Sequence, residues 1–98
     1  MSTKDWREGG TSWNIHRLTN GRWTAELDVA PDPARVTVTG PKGVTATGVL
    51  GDWNADWREW RTDWTNVEAI PRYVYDETVK FLARSYHGRP GWKKVSPR

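Results

Sequence analysis

The segment GDWNADWREWRTDWTNV, residues 51–67, decides the fold, because it holds four of the eight tryptophans of the chain. Separations of four, three and four residues are the spacing of one α-helical face, and they join Trp53, Trp57, Trp60 and Trp64. Each indole has a large apolar surface and a single N–H donor. The segment therefore predicts a helix over about residues 53–65 with an indole-rich face.

Alternating apolar and polar residues before this segment predict β-strands. The pattern starts at Trp13 and Ile15, and Asn20-Gly21 marks a hairpin because both residue types tolerate positive φ. A proline-containing loop at 30–34 interrupts the pattern. The expected strands are 12–18, 22–29, 35–39 and 44–50. The side chains expected to face inward are Trp13, Ile15, Trp23, Ala25, Leu27, Val29, Val36, Val38, Val44, Ala46 and Leu50.

A second helix is predicted over about 71–87, since Pro71 suits a first turn and Gly88 a C-terminal stop. The expected fold class is α+β: a four-stranded antiparallel meander over about 12–50, with helices at about 53–65 and 71–87 on one sheet face. Residues 1–11 are expected to be a flexible N-terminus, 12–88 a single domain and 89–98 a basic tail.

The indole face has two interpretations. It can cover the apolar side of the sheet, or some of its rings can stay exposed and anchor a partner, since tryptophan is enriched in binding hot spots. An acidic edge runs beside it with the same spacing, at Asp52, Asp56, Glu59 and Asp63. This edge is either a solvated helix face or a surface for a basic partner. The residues predicted to bind a partner are Trp53, Trp57, Trp60, Trp64, Asp56, Glu59 and Asp63.

The charge distribution supports an alternative function. Residues 51–70 carry two basic and five acidic side chains, whereas residues 71–98 carry seven basic and two acidic ones, with no acid after Glu77. Cations interleaved with aromatic rings can neutralise phosphates and stack on bases, although a basic tail can also serve only solubility. The residues predicted for nucleic-acid binding are Lys80, Arg84, His87, Arg89, Trp92, Lys93 and Lys94.

Catalytic, metal and nucleotide motifs are not apparent. No sequence motif places a carboxylate or a nucleophile beside His16 or His87. The glycines do not have the spacing of a phosphate-binding loop, and the chain has no cysteine. We expect no enzyme activity, cofactor or metal. We also expect no signal peptide or transmembrane helix, and hence a cytoplasmic location.

The bias toward Arg, Asp, Trp, Gly, Val and Thr resembles small proteins of high-GC bacteria and their phages, in composition only. The sequence thus predicts a small binding protein that acts by protein–protein contact or self-association through the Trp-rich helix, with nucleic-acid binding as the alternative.

Overall fold

A computed structural model describes residues 6–87, which form an antiparallel sheet of six strands with one α-helix packed on it. Each strand pairs with its neighbour in the sequence, so the sheet order is β1-β2-β3-β4-β5-β6. Two short 3₁₀ turns, Pro41–Gly43 and Val67–Ala69, precede β5 and the helix. The elements are β1 Arg7–Ser12, β2 Ile15–Thr19, β3 Thr24–Asp28, β4 Arg35–Thr39, β5 Thr45–Asn54, β6 Glu59–Thr65 and α1 Arg72–His87.

The expectation of a four-stranded meander with two helices is wrong, although the fold is still α+β. The segment predicted as a helix over 53–65 is a β-hairpin, made of the end of β5, a turn at residues 55–58 and all of β6. A separation of four residues returns a side chain to the same face of a strand, and nearly so in a helix. The separation of three, from Trp57 to Trp60, leads from the turn into β6. The tryptophan spacing is therefore compatible with either structure.

A β-bulge in β5 explains how Trp53 reaches the side of the sheet that α1 covers. Leu50 lies opposite Thr62 and Trp53 lies opposite Trp60, so β5 has one residue more than β6 between these two pairs. Leu50 and Trp53 are three residues apart, so in a regular strand their side chains would point to opposite faces. The bulge returns both side chains to the same face. The bulge therefore adds a second indole to the apolar side of the hairpin.

The middle strands bury the residues that alternation predicts, whereas the first hairpin differs. Trp13, expected to face the core, lies in the β1–β2 turn and is 73% exposed. In β2 the buried residue is Leu18, which shares its face with His16 rather than Ile15. The sheet also begins at Arg7 instead of about residue 12. The buried apolar side chains of β3, β4 and β5 are those of Ala25, Leu27, Val36, Val38, Ala46 and Leu50.

The helix predicted over 71–87 is present as α1, and the Pro71 carbonyl accepts hydrogen bonds from its first turn. The residues of α1 that are fully buried against the sheet are Val74, Thr78, Phe81 and Leu82. Thr78 can be buried because its hydroxyl donates to the carbonyl of Val74 at 2.8 Å. Within residues 6–87, no helix is long and apolar enough to cross a lipid bilayer.

Gly48 in β5 leaves space for the side chains of Thr62 and Trp64 in β6. Gly48 pairs directly with Trp64 across the hairpin. A Cβ atom on residue 48 would lie 2.5 Å from Thr62 Cγ2 and 3.1 Å from Trp64 Cε3.

We expect Gly48→Ala to lower the free energy of unfolding by about 1–3 kcal/mol, because added volume strains a packed core. Urea denaturation followed by tryptophan fluorescence measures the change. Gly9→Ala in β1 is the control, since a Cβ there meets no atom within 4 Å. An unchanged midpoint for Gly48→Ala would contradict the packing described here.

Candidate functional site

Trp57 lies at the tip of the β5–β6 hairpin and is 75% exposed. The turn that carries it is held by Asn54, whose Oδ1 accepts hydrogen bonds from the backbone N–H groups of Asp56 at 3.0 Å and Trp57 at 3.1 Å. Arg58 closes the turn in the left-handed conformation, with φ 56°. Side-chain amides stabilise turns in this way. An ordered turn therefore presents a large apolar ring to solvent.

The other three tryptophans of the predicted indole face pack on the side of the hairpin that α1 covers. Trp53 and Trp60 meet edge to face, with ring centroids 5.2 Å apart. The other two contacts are with tyrosines of α1. Ring centroids are 4.8 Å apart for Trp60 and Tyr86, and 5.9 Å apart for Trp64 and Tyr75. Trp60 is buried, and the other two indoles are half-buried. Trp60 and Trp64 join the hairpin to the helix, and Trp53 packs against Trp60.

The four acidic residues expected to form one helical edge are distributed over a hairpin instead. Asp52 belongs to the bulged part of β5 and Asp56 to the turn. Glu59 and Asp63 lie in β6, on the face opposite to α1, because Trp60 and Trp64 take the α1 side. Arg61 lies between them on that same face. The charges of β6 therefore alternate in sign along the strand, and no continuous acidic edge forms.

A depression of about 560 Å³ is lined mostly by residues of β6, with further residues from β5 and α1, and we call it the edge groove. Its lining comes from both faces of the sheet. Val49 and Asp63 line it from the face opposite to α1, and Trp64 and Tyr75 line it from the α1 side. Because one depression reaches residues on both faces, the space beside β6 at the end of the sheet is open.

A second depression, of about 460 Å³, lies between the hairpin turn and α1, and we call it the tip groove. Trp57 and Arg58 form its hairpin wall. The helix wall has an apolar part, made by Tyr75 and Val79, and a charged part. The charged residues of the helix wall are Arg72, Asp76 and Lys80. Arg72 Nε donates to Asp76 Oδ1 at 3.2 Å, so two of these charges are paired with each other.

Trp13 occupies a comparable place in the β1–β2 turn. Asn14 in this turn donates from Nδ2 to Asp28 Oδ1 at 2.9 Å. That hydrogen bond, the Ala30 N–H and the charge of Arg35 lower the pKa of Asp28, so these contacts lose strength as the pH falls through the lowered value. Trp13 is thus a second exposed indole on an ordered turn, with a different set of neighbours.

The cations predicted to bind nucleic acid fall in two groups. Arg84 Nε donates to Glu8 Oε2 at 2.7 Å, which ties α1 to β1. Lys80 Nζ lies 3.8 Å from Glu77 Oε2 on the same helix. His87 is the last residue of α1. The other four predicted residues lie outside the described part of the chain, and they are Arg89, Trp92, Lys93 and Lys94.

Metal-binding chemistry has no visible basis within residues 6–87, where no group of three His, Asp or Glu side chains is placed to hold a metal ion. His16 is half-buried on the α1 side of β2. Comparison with protein families, curated proteins and solved structures found no match for this chain.

Proposed function

We propose that this chain is a small non-enzymatic binding protein that acts by protein–protein contact through the tip of its β5–β6 hairpin. The observation that carries the proposal is the 75% exposure of Trp57 on a turn fixed by Asn54. An exposed indole loses unfavourable contact with water when a partner covers it. Tryptophan is also among the residues most enriched in binding hot spots.

The structural roles of the four tryptophans favour Trp57 over the other three as the anchor. Trp53, Trp60 and Trp64 pack against one another or against tyrosines of α1, so their burial contributes to folding. Trp57 projects from the turn instead. Because Asn54 already orders that turn, a partner would spend little free energy on fixing its conformation.

The tip groove suggests the chemistry of the partner. Tyr75 and Val79 offer an apolar surface beside Trp57, and charges of both signs surround it. This arrangement suits a protein segment with an apolar side chain between polar or charged residues.

Selection of peptides from a random displayed library, on the immobilised full-length chain, tests the proposal. We expect enriched peptides whose affinity falls at least about tenfold on Trp57→Ala, as expected for loss of a hot-spot residue. Trp13→Ala is the matched control, since it removes an equally exposed indole from another turn. A library that yields no binders, or binders with equal affinity for the wild type and Trp57→Ala, would refute the proposal.

Nucleic-acid binding is the other outcome to be measured. Of its predicted residues, Arg84 and Lys80 have acidic partners within the described chain, which weakens their attraction for phosphate. Fluorescence anisotropy with generic duplex DNA, at about 50 and 200 mM salt, measures this directly. Binding that weakens steeply with salt and is unaffected by Trp57→Ala would favour this alternative over the protein-binding proposal.

A further inference from the structure

We propose that two copies of this chain pair through their β6 strands, forming a two-fold symmetric dimer with one continuous antiparallel sheet. The partner is a second copy, and the surface is the sheet edge rather than the hairpin tip. The inference therefore does not depend on the protein-binding function proposed above.

β6 is well suited to pairing because it is a regular edge strand. It lies at the end of the sheet and, among the described strands, pairs with β5 alone. Its seven residues contain no proline, glycine or lysine, and the bulge of this hairpin is on β5. Edge strands that avoid association commonly use proline, bulges or charged side chains, lysine above all. The charges of β6 alternate in sign, so they can pair with those of a second copy. At the other edge of the sheet, β1 contains Gly9-Gly10 and a register shift between Gly10 and Ser12.

Charge and the length of overlap together select one register for self-pairing. When a two-fold axis passes through Thr62, all seven residues of one β6 pair with those of the other. By symmetry, each copy's Arg61 then lies opposite the partner's Asp63. Opposite charges on directly facing residues stabilise a sheet, and like charges destabilise it. An axis through Arg61 would instead oppose two arginines and bring Glu59 against the partner's Asp63. An axis through Asp63 would oppose two aspartates. A two-fold axis through Trp60 would also oppose unlike charges, Glu59 and the partner's Arg61, but it would pair only residues 59–61 of β6.

The same register matches the apolar side of the strand. Trp60 lies opposite the partner's Trp64, so each half-buried Trp64 gains cover from an aromatic neighbour. A register shifted by one residue would place the α1-facing side chains of one copy against the opposite face of the other, as Trp60 against the partner's Asp63. Full overlap, charge and aromatic pairing therefore agree on a single arrangement.

The edge groove provides the room for a second strand. Its volume of about 560 Å³ lies alongside β6, bordered by Val49 on one face and by Trp64 and Tyr75 on the other. A strand added to a sheet occupies this position, with its backbone facing the edge and its side chains alternating above and below. The open space leaves β6 accessible, and the self-complementary sequence of the strand identifies a second copy of the chain as its partner.

Sedimentation equilibrium of the full-length chain over a range of concentrations tests the dimer. We expect the wild type to approach twice the 11.3 kDa chain mass. Arg61→Asp and Asp63→Arg, made separately, should each weaken the dimer at least about tenfold, since each creates like-charge pairs in the selected register. An equimolar mixture of the two variants should dimerise again. In the mixed dimer, the acidic side chain introduced by Arg61→Asp lies opposite the basic side chain introduced by Asp63→Arg in the other copy.

Two controls separate this inference from the proposed function and from misfolding. Asp56→Arg makes the same charge change as Asp63→Arg, but in the turn and outside the pairing register, and it should leave the dimer intact. Trp57→Ala should also leave it intact while weakening peptide binding. A wild type that is monomeric at all concentrations would overturn the inference. It would also be overturned by a dimer that survives both single reversals, or by variants that stay monomeric when mixed.

Discussion

Trp60→Ala is expected to lower the free energy of unfolding by about 3–5 kcal/mol, the cost of removing a large aromatic side chain from a core. Trp60 is only 8% exposed, and it packs against two aromatic rings. Its ring centroid lies 5.2 Å from that of Trp53 and 4.8 Å from that of Tyr86. Truncation would therefore leave a cavity between β5, β6 and α1. Urea denaturation at 25 °C, followed by far-UV circular dichroism, measures the loss without depending on the fluorescence of the deleted indole.

The matched control is Trp57→Ala, which removes the same side chain from the hairpin turn. We expect its stability to stay within about 0.5 kcal/mol of the wild type, as for most exposed substitutions. If Trp60→Ala does not fold at all, Trp60→Phe should fold with an intermediate loss, because an aromatic ring still fills part of the site. Equal losses for Trp57→Ala and Trp60→Ala would contradict the division into one exposed and three packed indoles.

Phe81→Ala is expected to cost about 3–5 kcal/mol of unfolding free energy for the same reason. Phe81 is 1% exposed and belongs, with Val74 and Leu82, to the face of α1 that covers the sheet. The comparison is Tyr73→Ala on the same helix, where the ring is 43% exposed and a much smaller loss is expected. Thermal unfolding of the two variants side by side gives the ranking. A larger loss for Tyr73→Ala would mean that α1 faces the sheet with another side.

The middle of the sheet could be predicted from the sequence because its strands alternate without interruption. Trp23, Ala25 and Leu27 are buried at every second position, and β4 repeats this with Val36 and Val38. The second predicted helix is present for a comparable reason, since Pro71 marks its start. In these parts of the chain, local chemistry and tertiary packing favour the same structure.

The β5–β6 hairpin could not be predicted from tryptophan spacing alone. Two other features of the sequence indicate the hairpin. Asn54 precedes the turn and stabilises it, and side chains of different polarity alternate through Trp60, Arg61 and Thr62 in β6. The bulge after Leu50 disrupts alternation on the opposite strand, so the two strands do not look alike in sequence. Period-two alternation within residues 59–65 is the signal that favours a strand over a helix.

The candidate site was only partly predictable, because exposure depends on the turn and not on residue type. Trp57 and Trp60 are chemically identical and three residues apart, yet one is in solvent and the other in the core. The side of α1 that packs on the sheet was also difficult to predict, since buried Thr78 is polar and satisfies its hydroxyl within the helix. The chain fixes these differences through long-range packing, which no local pattern contains.

The neighbour-to-neighbour order of the strands has a consequence for biosynthesis. Each strand pairs with the one made just before it, so the sheet can grow strand by strand as the chain leaves the ribosome. The helix α1 contributes Val74, Phe81 and Leu82 to the same buried cluster as the apolar residues of the sheet, and it is the last described element to be made. Until residues 72–87 emerge, one whole side of the growing sheet stays in contact with water, and during this interval the nascent chain is most vulnerable to aggregation.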